Sequence, residues 1–369
     1  MFKNHNIEDL KKYLKSNLDK KVLIITGKKS FQKSGAKNIF LKLLHNFDKK
    51  IFYKTQSIPK YKELCQITSI LKKFRPQLIL AIGGGCVMDY AKIANVYEKS
   101  ETNKKKIKTS KFKIKSKVCD LIAIPTTAGS GAEVTENAVI YIDKKKYSVE
   151  GGLIKPDKYF FFPQSLIKLN KNIKASSGFD AIAQAIESIL SLRADKHSIL
   201  FAKKSLELSL KNYLYYLKNP SIQNASKMAL AANLAGKAIS VSKTIAPHAV
   251  SYPFTYNYGV SHGHAVSLTL NSFVKFNFKF MKYSNDHQAL KKKFSILFKI
   301  FNVKNINELD QFLSRLTREA SLQNNFSKLG INIKKDVNKI ISGVNLQRLS
   351  NNPVQLQADD IRSILLNKN

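Results

Sequence analysis

The sequence holds only three cysteines, Cys65, Cys86 and Cys119, with no CxxC pair among them. That scarcity excludes a disulfide framework and a zinc ribbon, and it fits a reducing compartment. No apolar run approaches the roughly 18 to 20 residues needed to cross a bilayer. The opening stretch, Met1 to Lys21, is polar and Lys-rich and lacks the apolar segment of a signal peptide. A cytoplasmic protein with no membrane contact is therefore expected. Acidic residues are also scarce, 25 Asp plus Glu against 63 Lys plus Arg, for a formal charge of +38. Such an excess raises nucleic acid as a partner. Arginine is scarce in turn: Arg75, Arg193, Arg315, Arg318, Arg348 and Arg362 are the full set. Base and phosphate recognition favours the bidentate guanidinium fork, so a cation set that is nearly all lysine argues against a nucleic-acid partner. Lys, Asn and Ile share A/T-rich codons, and a biased genome accounts for the charge without any partner. A lesser reading is that the positive field draws in an anionic substrate and cofactor.

What is present describes a globular chain. At 369 residues and 44% apolar content, two packed domains are expected and global disorder is excluded. Short β-type runs, Lys21–Thr26, Leu78–Ile82 and Leu121–Ile124, are each followed by a helical pattern, which predicts a parallel sheet with covering helices. From Ser165 onward amphipathic stretches such as Asp180 to Leu192 and Ser198 to Leu217 take over. The reading is an α/β N-terminal nucleotide-binding domain over 1–164 and an all-α metal-binding, catalytic domain over 165–369. The acid-free run Lys104 to Lys117 reads as a solvated insertion loop or hairpin.

Gly83-Gly84-Gly85-Cys86-Val87-Met88-Asp89-Tyr90-Ala91-Lys92 places three glycines between a strand and a helix. Glycine lets the backbone approach a pyrophosphate, and the helix start adds N–H donors. A second turn, Pro125-Thr126-Thr127-Ala128-Gly129-Ser130-Gly131-Ala132-Glu133, follows the next strand. Two such turns at successive strand ends point to a dinucleotide. Further on, Asp180 and Gln184 share a helix face at i and i+4, and His248, His262 and His264 fall within a short Gly/Pro-punctuated segment. One carboxylate and two imidazoles suit a divalent first-row ion with a position left for substrate.

With these motifs the sequence resembles the iron-containing alcohol dehydrogenases, whose signatures are GGGSxxDxAK and PTTAGTGSE, followed by DxxxH, HxxxH and HG. Cys86 and Ala132 each stand for a usual Ser, and Ser130 for a usual Thr; none of these changes removes a backbone donor. The resemblance runs down to Arg348-Leu349-Ser350-Asn351-Asn352-Pro353. It implies a dehydroquinate synthase-like fold and a nicotinamide site built from Gly27, Gly83, Gly84, Gly85, Cys86, Asp89, Thr126, Thr127, Ser130, Gly131 and Lys146. It implies metal ligands at Asp180, His248 and His262. Gln184 stands where a third histidine ligand is usual and could offer its amide oxygen, which tilts the metal toward Fe²⁺ or Mn²⁺ over Zn²⁺. Tyr252 stands where a catalytic-site histidine is usual. Tyr252 and His264 are the candidate proton-relay groups, Tyr252 alternatively being only a ring packed beside Pro253. Where many relatives carry an acid after the first strand, this chain has Gly27, then Lys28 and Lys29, which favours NADPH over NADH.

The segment Lys243 to Pro253 resembles a subgroup that includes phosphonoacetaldehyde reductases. A small anionic aldehyde, reduced to 2-hydroxyethylphosphonate, is the implied substrate, with Lys237 and Lys243 as candidate cations near the site. The metal-binding domain is expected to face the nucleotide turns, and a homodimer is an open assembly. Loss of metal and activity, another short-chain alcohol or polyol dehydrogenase, a dehydroquinate synthase-type lyase and a basic nucleic-acid-binding protein are the alternatives.

Overall fold

The computed structural model describes residues 6–16, 20–143, 145–344 and 346–367. The chain divides into two compact units, Met1–Leu169 with Ser221–Ala229, and Asn170–Pro220 with Leu230–Asn369. The first unit carries strands β1 (Val22–Gly27), β2 (Lys49–Lys54), β3 (Leu78–Gly83), β4 (Asp120–Pro125), β5 (Asn137–Ile142), β6 (Lys145–Glu150) and β7 (Lys158–Tyr159). Its helices are α1 (Ile7–Lys15), α2 (Lys28–Lys33), α3 (Ala36–Leu43), α4 (Tyr61–Phe74), α5 (Gly85–Ala94), α6 (Glu101–Lys108) and α7 (Pro163–Ile167). The unit thus runs past the expected end at 164 and takes in α7.

Five strands form a parallel sheet in the order β2-β1-β3-β4-β7, and β5 and β6 form a separate antiparallel hairpin. Side chains alternate across a strand, and the residues divide accordingly. Val22, Ile24, Leu78, Leu80, Ile82, Ile122 and Ile124 enter one core with Leu10, Leu14 and Phe40 of α1 and α3. Leu23, Ile25, Ile79, Ala81, Leu121 and Ala123 enter a second with Leu64, Ile67 and Val87 of α4 and α5. Both faces are covered, which is why β1, β3 and β4 read as continuous apolar runs. The lysine-flanked edge strand β2 and the two-residue β7 carry no such run, and sequence patterning misses them.

Parallel register sets Thr26 beside Ile82 and Gly83 beside Pro125. The turns after β3 and β4 therefore leave neighbouring strand ends, next to the β1/β3 position where the strand order reverses. The basic run contains the end of α6, whose N-cap Ser100 accepts from the Asn103 amide at 3.0 Å. Residues 111–117 have no regular structure, so the expected loop or hairpin is helix in its first part.

The second unit is helical: α8 (Lys171–Leu190), α9 (Lys196–Lys218), α10 (Ile222–Ser242, shared with the first unit), α11 (Ala246–Tyr258), α12 (His262–Ser267), α13 (Leu270–Lys279), α14 (His287–Phe301), α15 (Ile306–Glu319), α16 (Ile333–Ser342) and α17 (Ala358–Leu366). No strand follows Tyr159 among the described residues. α8 is buried almost all round and carries Asp180, Gln184 and Glu187 into the interior on one face. Buried polar groups of this kind are the informative ones, because burial without a partner is costly. Among the described residues no helix is long and apolar enough to cross a membrane.

Candidate functional site

Asp180, His248 and His262 come together, with one ligand atom from each lying within 4.8 Å of the others. They arrive from α8, from the first turn of α11 and from the first residue of α12. The approach of α12 to α8 depends on Gly263. A Cβ there would meet the Ser176 carbonyl oxygen at 2.0 Å and the Asp180 Cβ at 2.8 Å. Ser176 Oγ completes the joint by accepting from Ser261 Oγ at 2.8 Å and from the His264 amide at 3.1 Å.

Both imidazoles are oriented from behind. His248 Nδ1 is 2.5 Å from Glu187 Oε1, and its Nε2 is 3.2 Å from Asp180 Oδ1. Glu187 Oε2 accepts from the Ile245 amide at 2.8 Å, so this fully buried carboxylate is fixed. His262 Nδ1 lies 3.3 Å from Ser251 Oγ, which donates its own hydrogen to the His248 carbonyl at 2.7 Å. Ser251 can then only accept from Nδ1–H, which leaves His262 Nε2 as a lone-pair donor. Burial works against charge at His248, but Glu187 and then Asp180 prevail and raise its pKa to about 9 in the metal-free chain. Burial likewise acts to raise Asp180, yet the His248 hydrogen bond and the His262 charge hold it below the usual carboxylate range.

Gln184 is 2% exposed, and its Oε1 has no hydrogen-bond partner among the described residues. An orphaned amide oxygen one helical turn from Asp180 fits a ligand position. A carboxylate, two aligned imidazoles and this oxygen suit a divalent first-row ion. Tyr252 is stacked on the His262 ring, with centroids 5.3 Å apart and planes at 10°. Burial raises its hydroxyl pKa, with Arg348 opposing. The structure does not bring His264 to the cluster: residues i and i+2 face apart on a helix, and His264 Nε2 donates to the Gln323 carbonyl at 2.8 Å. Sequence reasoning passed over Glu187 and Ser251. Glu187 had a signal, since it follows Asp180 by seven positions and Gln184 by three, on the same face.

In the first unit, the glycines after β3 face the turn after β4. A Cβ on Gly84 would meet Thr127 Oγ1 at 3.0 Å, and one on Gly85 would meet Ser130 Oγ at 3.0 Å. The two turns thus share a cradle that side chains on Gly84 and Gly85 would fill, as close approach of a pyrophosphate requires. Gly83 itself cannot carry a Cβ, which would press on Val87 at 2.4 Å. The Thr126 amide ties the turns together by donating to the Gly83 carbonyl at 3.0 Å. Lys92, fully buried, reaches across from α5 to the Ala132, Thr135 and Asn137 carbonyls at 3.0, 2.7 and 2.6 Å. It pins the segment after Gly131. Burial raises the Asp89 carboxyl to about 6, with Lys92 and Lys146 nearby opposing that rise. Burial also pushes the Cys86 thiol up to about 12, which keeps it neutral. Gly27 ends β1, and Lys28 and Lys29 follow it, exposed.

The iron-containing alcohol dehydrogenase profile matches residues 1–163, and the C-terminal profile of the Fe-containing alcohol dehydrogenase family matches 174–368. The phosphonoacetaldehyde reductase of Streptomyces viridochromogenes is 30% identical over 56% of this chain and 55% of that protein. The 1-propanol dehydrogenase PduQ of Salmonella typhimurium is 29% identical over 62% of this chain and 59% of that protein. The chain thus spans a little over half the length of these curated relatives. The sulfoacetaldehyde reductase of Bifidobacterium kashiwanohense, solved with NAD+, superposes with a TM-score of 0.84 at 24% identity, covering 97% of this chain and 93% of that one. The iron-containing alcohol dehydrogenase of Thermotoga maritima superposes with a TM-score of 0.81 at 24% identity, covering 98% and 95%. The chain belongs to the iron-containing alcohol dehydrogenase family.

Proposed function

We propose that this protein is a metal-dependent, nicotinamide-dependent reductase that converts a small anionic aldehyde, phosphonoacetaldehyde, to the primary alcohol 2-hydroxyethylphosphonate. The observation that carries the reading is the convergence of buried Asp180 and His248 with partly buried His262, beside the orphaned Gln184 oxygen. In this proposal residues 165–369 hold the metal and 1–164 hold the nucleotide. Gly83, Gly84, Gly85, Thr126, Thr127, Ser130 and Gly131 receive the pyrophosphate, with Gly27, Cys86, Asp89 and Lys146 lining the remainder. NADPH is the favoured form over NADH. Fe²⁺ is the favoured ion, ahead of Mn²⁺ and Zn²⁺.

When bound, a divalent ion supplies polarisation of the carbonyl oxygen and the nicotinamide supplies a hydride. The chain supplies the rest. Glu187 and Ser251 hold the two imidazoles so that each Nε2 presents a lone pair, which removes the cost of reorienting them. Tyr252, whose raised pKa keeps its proton on at neutral pH, donates that proton to the oxygen that becomes the alcohol. Hydride and proton together convert the aldehyde to the alcohol, so the step balances.

The test is aldehyde-dependent oxidation of NADPH by metal-reconstituted protein, with phosphonoacetaldehyde beside propanal and glycolaldehyde. A clear advantage in kcat/KM for phosphonoacetaldehyde supports the substrate. Equal rates would remove the phosphonate while leaving the reductase, and full activity in His262→Ala would remove the metal mechanism. The similar match to a 1-propanol dehydrogenase favours a neutral short-chain substrate as the second reading, and the propanal arm measures it.

A further inference from the structure

Arg348 stands beside the candidate metal centre, and no acid among the described residues pairs with it. Its guanidinium carbon lies 5.6 Å over the Tyr252 ring, and its Nη1 donates to the Tyr252 hydroxyl at 3.4 Å. That same ring is stacked on His262. Arg362, by comparison, has Asp359 at 3.4 Å, whereas among the described residues no carboxylate lies within ion-pair distance of Arg348. In a chain whose cations are nearly all lysine, an arginine at this spot supplies a planar fork that lysine lacks.

The fork is also held in place. Arg348 is half-buried on a short 3₁₀ turn, Leu346–Asn351. Asn351 anchors the end of that turn: its Nδ2 donates to the Ser242 and Thr244 carbonyls at 2.9 and 3.0 Å, and its Oδ1 accepts from Ser191 Oγ at 3.1 Å. The next residue, Asn352, exchanges side-chain hydrogen bonds with Asn277 at 2.7 and 3.3 Å. An uncompensated, partly desolvated guanidinium fixed by buried amides is pre-organised for an anion.

We propose that Arg348, positioned by Tyr252, is the anion grip of the site, a specificity-determining residue that selects aldehydes bearing a tetrahedral oxyanion group. This rests on the aldehyde-reductase reading above and assigns recognition to Arg348 rather than to Lys237 or Lys243. One guanidinium N–H is spent on Tyr252, and the others remain for the oxygens of a phosphonate or sulfonate. Tyr252 couples the grip to His262, so the anion fixes where the carbonyl of a short substrate falls.

The experiment compares kcat/KM for phosphonoacetaldehyde, sulfoacetaldehyde and propanal in wild-type protein, Arg348→Met and Arg348→Lys. The preference of the wild-type protein for an oxyanion aldehyde over propanal should fall at least about 30-fold in Arg348→Met and recover in part in Arg348→Lys. Calorimetric titration with 2-hydroxyethylphosphonate, which needs no turnover, should show binding lost in Arg348→Met. A preference kept within about threefold, or equal loss on all three aldehydes, overturns the assignment. A wild-type protein that reduces propanal as well as the oxyanion aldehydes overturns the substrate reading first, before any variant is compared.

Discussion

Glu187 lies seven residues beyond Asp180 on α8, and its Oε1 sits 2.5 Å from Nδ1 of His248. One helix therefore supplies both a carboxylate of the candidate metal cluster and the group that orients one of its imidazoles. Removing that aim, in Glu187→Gln, should weaken metal binding by roughly 10- to 100-fold. Competition against a chromophoric chelator measures it, and an unchanged Kd would dismiss the positioning role.

His248 gives the pH dependence. In the metal-free chain its pKa is raised to about 9, so its contribution to stability is complete below the unfolded value near 6.5 and is lost as pH climbs through about 9. A metal must displace that proton, so uptake between about pH 7 and 8 should release close to one proton from this residue. Affinity should rise roughly tenfold per pH unit over that window. Titration of the metal in buffers of different ionisation enthalpy reads the proton count, and a value near zero would contradict the raised pKa.

Gly263 admits no side chain, since a Cβ would fall 2.0 Å from a carbonyl oxygen of α8. Gly263→Ala should push α12 off α8, separate His262 from Asp180 and cost about 1 to 3 kcal/mol or more in stability. Denaturant melts with and without metal test this. A variant with wild-type stability and metal affinity would show that the helices have slack.

Lys28 and Lys29 stand at the end of β1 with no acid at Gly27. NADPH should exceed NADH in kcat/KM, and Gly27→Asp should narrow or reverse that ratio by placing a carboxylate where a ribose 2′-hydroxyl is read. A strong NADH preference in the unaltered protein would refute the assignment.

Much of this was legible in the sequence for a physical reason: strands buried on both faces and glycine turns are local patterns. The runs at Val22–Gly27, Leu78–Gly83 and Asp120–Pro125 needed only their own residue types to be read, and the turns after two of them lay at the boundaries where the pattern broke. The identities of Asp180, Gln184, His248 and His262 were equally plain. Where each side chain points was not. Asp180 and His248 meet across 68 positions, and Arg348 meets Tyr252 across 96. Such convergence is fixed by helix packing and by the one glycine that lets α12 close on α8. Packing also turned His264 toward Gln323, fixed both imidazoles of the candidate cluster through Glu187 and Ser251, and left the Gln184 oxygen without a donor among the described residues. The sequence by itself determined which chemistry the chain carries, because residue type sets donor, acceptor and charge. Only the tertiary structure decided which of those groups share one buried volume, because contacts between distant helices depend on close packing that no local pattern encodes.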